Sequence, residues 1–139
     1  MSRVLIVDDV PVLRRKLVRL ARTLDGVETT EAASSQEAID LIRTNDFDLV
    51  VTDLVMESNT EEDGRAVLRE AKRANPDSPV IAVTSFGSPE SSAETMKLGA
   101  YDYIERGSPD VNLGEVLPRT IAGALEHRAE MLKGRELRG

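Results

Sequence analysis

Four short stretches of this chain carry side chains that could do chemistry together. They are Asp8 and Asp9 in VLIVDD, Asp53 in LVVTD, Thr84 and Ser85 in VIAVTS, and Arg106 in YDYIER. Three carboxylates brought close without a cation would repel one another and hold at least one in the protonated form, so the grouping calls for a divalent metal. Oxygen donors from carboxylates, a backbone carbonyl and water suit Mg²⁺, which keeps several waters and tends to sit beside phosphate. A carboxylate, a hydroxyl, a cation and Mg²⁺ are the parts of a phosphoryl-transfer site, where positioning and charge neutralisation supply most of the catalysis. Asp53, the central acid, is the natural nucleophile. Taken singly, an aspartate after a strand is an ordinary turn or cap residue. Arg106 alone would be a solvated rim charge, and Tyr103 alone an edge residue packing on a sheet. The recurrence of polar groups at successive strand ends is what argues for a site.

The elements that must position these residues alternate along the whole chain, without repeat or low-complexity segment. Val4 to Val7 reads as a first strand, followed from Pro11 by a helix with Leu13, Leu17, Leu20 and Leu24 at helical spacing, stopped by Asp25-Gly26. Val27 to Ala32 is a second strand. Ser34 with Glu37 forms a capping-box pattern ahead of Ala38, Ile39 and Ile42. Leu49 to Thr52 is a third strand, Gly64 to Asn75 a helix closed by Asn75-Pro76, and Pro79 to Val83 a fourth strand. Ser88-Pro89 caps a helix to about Leu98, Tyr101 to Glu105 is a fifth strand, and a long helix starts near Asn112, with Pro118 in its first turns or kinking it. Strands joined by single helices are parallel, with helices on both faces. VLIV, LVV and VIAV are continuously apolar, as strands buried on both faces should be, whereas VETTEA and YDYIE are polar enough for edges. That ranking predicts an α/β fold with a doubly wound, five-stranded parallel sheet in the flavodoxin-like order 2-1-3-4-5. In that order ligands bind outside the carboxyl ends of strands 1 and 3.

Composition sets the outer bounds. At 139 residues the chain has room for one well-buried core. It has no cysteine, which removes disulfides, thiolate metal sites and cysteine nucleophiles. A formal charge of −7 argues against nucleic acid as a partner and for a protein or a cation. No apolar run is long enough to span a bilayer, and no signal-peptide pattern opens the chain, so a cytoplasmic protein with no membrane partner is expected.

VLIVDD, VTDLVM, VIAVTS and GAYDYIER resemble the signature segments of the receiver domain of two-component response regulators, over about residues 3 to 126. The resemblance implies a phosphoprotein in a phosphorelay. Asp53 would accept a phosphoryl group from a sensor histidine kinase or phosphotransfer protein, Asp9 and Asp53 would ligate Mg²⁺ directly, Asp8 would help through water, and the carbonyl of Val55 would complete the protein ligands. Thr84 would hydrogen-bond the new phosphoryl oxygen, Tyr103 would be the aromatic switch that follows it, and the fourth helix, fifth strand and fifth helix would form the surface for a downstream protein target. The chain would catalyse only its own phosphorylation and dephosphorylation. Residues 1–126 would form the domain and 127–139 a continued last helix or frayed tail, able to engage a homodimer or partner.

The sequence also departs from that family. Arg106 stands where the family has a lysine, and a forked guanidinium is no silent replacement for a compact ammonium. Gly107 follows it in place of a proline, so a cis-proline is not expected. Glu57, Glu61, Glu62 and Asp63, in a segment longer than usual, read as a solvated flexible loop rather than extra metal ligands. Val55 and Phe86 occupy positions that in the family modulate attack of water on the aspartyl phosphate, and two apolar residues there suggest slow dephosphorylation. His127, the only histidine, reads as a surface residue distant from the site. Two competing functions remain: a phosphorylation-independent pseudo-receiver scaffold, and a phosphohydrolase, for which the usual second acid two residues after the nucleophile is replaced by Val55.

Overall fold

The computed structural model describes the chain from residue 1 to residue 138, with side chains to residue 136. Five strands and five helices alternate: β1 Ser2–Val7, α1 Pro11–Ala21, β2 Val27–Ala32, α2 Ser35–Thr44, β3 Leu49–Asp53, α3 Glu62–Ala74, β4 Val80–Thr84, α4 Pro89–Lys97, β5 Asp102–Glu105 and α5 Leu113–Arg138. All strand pairs are parallel, in the order β2-β1-β3-β4-β5. The ranking of strands by apolar character therefore placed centre and edges correctly.

Alternate residues of each central strand face opposite layers. Val4, Ile6, Leu49, Val51, Ile81 and Val83 pack with Leu17, Leu117 and Ile121 of α1 and α5. Leu5, Val7, Val50 and Val80 pack with Ala38 and Ile42 of α2 and with Val67, Leu68 and Ala71 of α3. Every residue of β3 and β4 is buried, so these strands leave the core only at their carboxyl ends. There the polar residues Asp53 and Thr84 are the last residues of their strands, one position further into the sheet than the sequence reading placed them.

Local signals account for most boundaries. The Ser34 hydroxyl accepts from the Glu37 amide at 3.1 Å, and a Glu37 carboxylate oxygen accepts from the Ala33 amide at 3.3 Å, so cap and first-turn acid act reciprocally. Ser88 caps α4 in the same way, through the Ser91 amide at 3.0 Å. Helix α1 ends at Ala21, short of Leu24, because the chain tightens into turn bonds before Gly26, whose φ of +75° takes it out of the right-handed region. Pro118 lies inside α5 without ending it. The helix continues beyond residue 126, where Arg128 pairs with Asp48 at 3.0 Å, Arg135 pairs with Asp77, and exposed His127 lies 5.8 Å from Tyr101 between ring centroids. Those contacts are made by the loops that lead into β3, β4 and β5, at the edge of the sheet opposite Asp53. Among the described residues no peptide bond is cis, and no described helix is long and apolar enough to cross a membrane.

Candidate functional site

The parallel register brings the carboxyl ends of β1, β3, β4 and β5 side by side. Val7 is opposite Thr52, Asp53 opposite Val83, and Thr84 opposite Glu105, so Asp8, Asp53, Thr84 and Arg106 emerge along one edge. One ligand oxygen from each of Asp8, Asp9 and Asp53 lies within 4.8 Å of the others. This donor set fits a hard divalent cation: it is all oxygen, tightly grouped, and more negative than one buried arginine can balance. A cavity of about 290 Å³ opens above them, lined by Asp9, Asp53, Val55, Thr84, Phe86 and Arg106 among others. A larger cavity of about 640 Å³ sits elsewhere, between Arg3, Arg43, Asp46 and Arg73, and contains none of these residues.

Arg106 is the organising cation. Its side chain is only 9% exposed, which removes the solvated-rim alternative. Nη1 donates to Asp8 Oδ2 at 3.1 Å, Nη2 donates to Asp53 Oδ2 at 3.1 Å, and Nε donates to Ser85 Oγ at 3.0 Å. The second oxygens of both acids are held by backbone amides. Asp8 Oδ1 accepts from Val10 N at 2.9 Å, while Asp53 Oδ1 accepts from Leu54 N at 2.7 Å and Val55 N at 3.3 Å. Ser85 stood at a strand end in the sequence without a role. Its hydroxyl is the pivot that orients the guanidinium fork.

Burial raises the pKa of Asp53 to about 6, with Arg106 pulling it down and Asp8 pushing it up, and the amides of Val55 and Leu54 pulling it down further. Burial outweighs the cation. Asp9 is also raised, first by burial and then by its negative neighbour Asp8, with its own backbone amide opposing. Two adjacent acids resist ionising together, and an added cation would relieve both.

The loop between β3 and α3 corrects one sequence reading. Asp63 is not a solvated loop acid: it is 7% exposed, and its Oδ2 accepts from Met56 N and Ser58 N, both at 3.0 Å. Glu57 accepts from the amide and hydroxyl of Ser35 on α2. Glu61 accepts from Arg65 at 2.9 Å and from the hydroxyl of Ser91 on α4. Asp63 and Glu61 fasten the loop from partly or fully buried positions, whereas Glu57, though bonded to α2, and Glu62, paired with Arg69, keep to the exposed surface. The available signal was Asp63-Gly64: a short acid in the first turn of a helix is well placed to accept loop amides. Gly64 is required because a Cβ there would lie 2.3 Å from the Asp53 carbonyl oxygen and 2.4 Å from Leu54 Cα.

Tyr103 is half-buried, and its hydroxyl donates to Ser91 Oγ at 3.0 Å. Ser91 passes the connection on to Glu61, so a hydrogen-bonded row joins β5, α4 and the start of α3. Glu105 adds a second tie by accepting from the Gly87 amide at 3.0 Å, fixing the loop after Thr84. Phe86, in that loop, is 89% exposed over the cleft.

A doubly wound parallel sheet with an acidic triad at its switch point and a cation just after the last strand defines a class of signalling domain. Residues 4–117 match the family model of the response regulator receiver domain, and the chain belongs to that family. It is 36% identical over 106 residues to the transcriptional regulatory protein ZraR of Salmonella typhimurium, an alignment covering 76% of this chain and 23% of that protein. It is 31% identical to the response regulator protein PilR of Pseudomonas aeruginosa, covering 91% of this chain and 27% of that one. The chain thus spans about a quarter of the length of these relatives. Among solved structures, a CheY-like receiver domain protein of Methanospirillum hungatei superposes with a TM-score of 0.81 at 26% identity, over 94% of this chain and 98% of that one. NtrX of Brucella abortus superposes with a TM-score of 0.83 at 27% identity, over 99% of this chain and 30% of that one.

Proposed function

We propose that this receiver domain takes a phosphoryl group onto Asp53 from a histidine kinase or phosphotransfer protein and switches the α4-β5-α5 face for a downstream protein target. The observation that carries the reading is the meeting of Asp8, Asp9, Asp53, Thr84 and Arg106 around one cleft at the switch point.

Asp53 Oδ2 is the attacking oxygen. Its partner Oδ1 is fixed by two amides, which leaves Oδ2 facing Arg106 and the cleft. A P–O bond forms as the P–N bond of the donor's phosphohistidine breaks, and the imidazole leaves with its electron pair. Asp9 and Asp53, with the Val55 carbonyl and with Asp8 through water, would hold Mg²⁺, which when bound supplies charge neutralisation at the phosphoryl oxygens. Arg106 turns its fork from the carboxylates to the new phosphoryl group, for which paired N–H donors are well shaped. Thr84, buried at the cleft wall, bonds another phosphoryl oxygen, and Tyr103 follows by leaving or tightening its bond to Ser91. Val55 and the exposed ring of Phe86 offer water no polar group, so the aspartyl phosphate should be long-lived. The functional unit spans residues 1–126, with the rest of α5 as a rigid continuation. The chain acts on itself and turns over no other substrate. It works in the cytoplasm, and the acidic balance supports a protein rather than a nucleic-acid partner for this chain.

Incubation with acetyl phosphate and Mg²⁺, followed by intact-mass and peptide mass spectrometry, tests the reading. A single phosphoryl adduct on Asp53, absent from Asp53→Asn, is expected. No adduct would make the chain an interaction scaffold, and sustained release of phosphate would make it a phosphohydrolase. Loss of the adduct within seconds would refute the long lifetime.

A further inference from the structure

We infer that Arg106 is a resident counter-cation that competes with the divalent metal for Asp8 and Asp53, so that the metal-free site is closed by its own arginine. The inference deepens the proposed function and rests on its metal reading.

Asp8 has one oxygen on the Val10 amide and the other on Arg106, and Asp53 has one on the Leu54 and Val55 amides and the other on Arg106. Each oxygen of these two buried acids therefore already accepts a hydrogen bond, and Asp9 is the member of the triad that the guanidinium does not engage. The fork reaches both acids because its two terminal nitrogens diverge from one plane, with Nε anchored on Ser85 Oγ. A lysine at the same position would have to meet both acids and Ser85 from one compact ammonium, whereas the fork spreads these contacts over three nitrogens. The fork offsets part of the negative charge that would draw a metal in, and a metal seated on Asp53 Oδ2 must displace Nη2. The same contact covers the attacking oxygen of Asp53. Metal entry and release of Nη2 from Asp53 are thus one linked event, and metal affinity is set partly by how firmly Ser85 holds the fork.

Equilibrium binding of Mn²⁺, read as loss of the free-ion electron paramagnetic resonance signal, tests this on the full chain without any phosphoryl donor. Arg106→Met, uncharged and of comparable length, is expected to bind Mn²⁺ at least about tenfold more tightly than the parent, equivalent to about 1.4 kcal/mol. Arg106→Lys should fall between them. Ser85→Ala, which leaves the charge and loosens the fork, should shift affinity the same way by a smaller factor. In thermal melts, Arg106→Met should be less stable than the parent without metal and gain more from saturating Mg²⁺. Equal or weaker Mn²⁺ binding by Arg106→Met, with Ser85→Ala unchanged, overturns the competition and leaves the metal reading standing. Should the parent, Arg106→Met and Asp9→Asn all fail to bind, both the competition and the metal reading fall.

Discussion

Asp53→Asn is expected to stabilise the metal-free protein at neutral pH, although it removes the central residue of the site. The carboxyl of Asp53 rises from an ordinary 3.8 to about 6 because burial costs its charged form more than Arg106 returns. A displacement of that size corresponds to about 3 kcal/mol for ionising the folded protein. The cleft side of the residue still meets water, so a gain of about 2 kcal/mol is the expectation for the neutral isostere. The sign follows from proton binding. A carboxyl with a raised folded pKa keeps its proton longer in the folded than in the unfolded state, so the contribution of Asp53 to stability is fully present below about pH 4, is lost as pH rises to about 6, and is level above. Asp53→Asn lacks that fall. Its advantage should therefore be full near pH 7.5 and vanish near pH 4, as judged by urea denaturation with chelator present. In a thermal melt at neutral pH the gain should be on the order of 6 °C. Saturating Mg²⁺ should shrink the difference, because a cation favours the aspartate and offers little to the amide. Equal stability at neutral pH, a destabilised variant, or a difference that persists unchanged to pH 4 would refute the claim that burial dominates at Asp53.

Three further substitutions probe the scaffold around the site. Asp63→Ala removes the acceptor of the Met56 and Ser58 amides and should cost about 2 kcal/mol in denaturation, with faster amide exchange confined to residues 56–61. Gly64→Ala forces a methyl against the Asp53 carbonyl and Leu54 Cα, so it should cost at least about 2 kcal/mol and slow labelling of Asp53 by acetyl phosphate. Ser91→Ala breaks the row from Tyr103 to Glu61. It should cost about 1 kcal/mol and raise exchange in α4, with no such rise in β1 or β3.

The sequence by itself carried the architecture and the location of the site. Continuous apolar runs at Val4–Val7, Leu49–Val51 and Val80–Val83 can be satisfied only by burial on both faces, and the polar runs at Val27–Ala32 and Asp102–Glu105 only at edges. Strand order and switch point follow from those constraints, and the reactive residues then fall at strand ends by counting. Caps at Ser34 and Ser88 were legible for the same reason: they are local, spanning three residues. What the sequence did not disclose depends on contacts between segments far apart. Arg106 became the partner of Asp8 and Asp53, 98 and 53 residues away, only when β5 closed the sheet beside β4. Asp63 and Glu61 looked like solvated acids because charge runs usually are, yet folding aimed one at the amides of its own loop and the other at α4. Residue type and spacing specify which groups meet at an edge. Only the packed structure sets which oxygen faces which donor, because a side chain's partner is chosen by the distances that tertiary packing imposes.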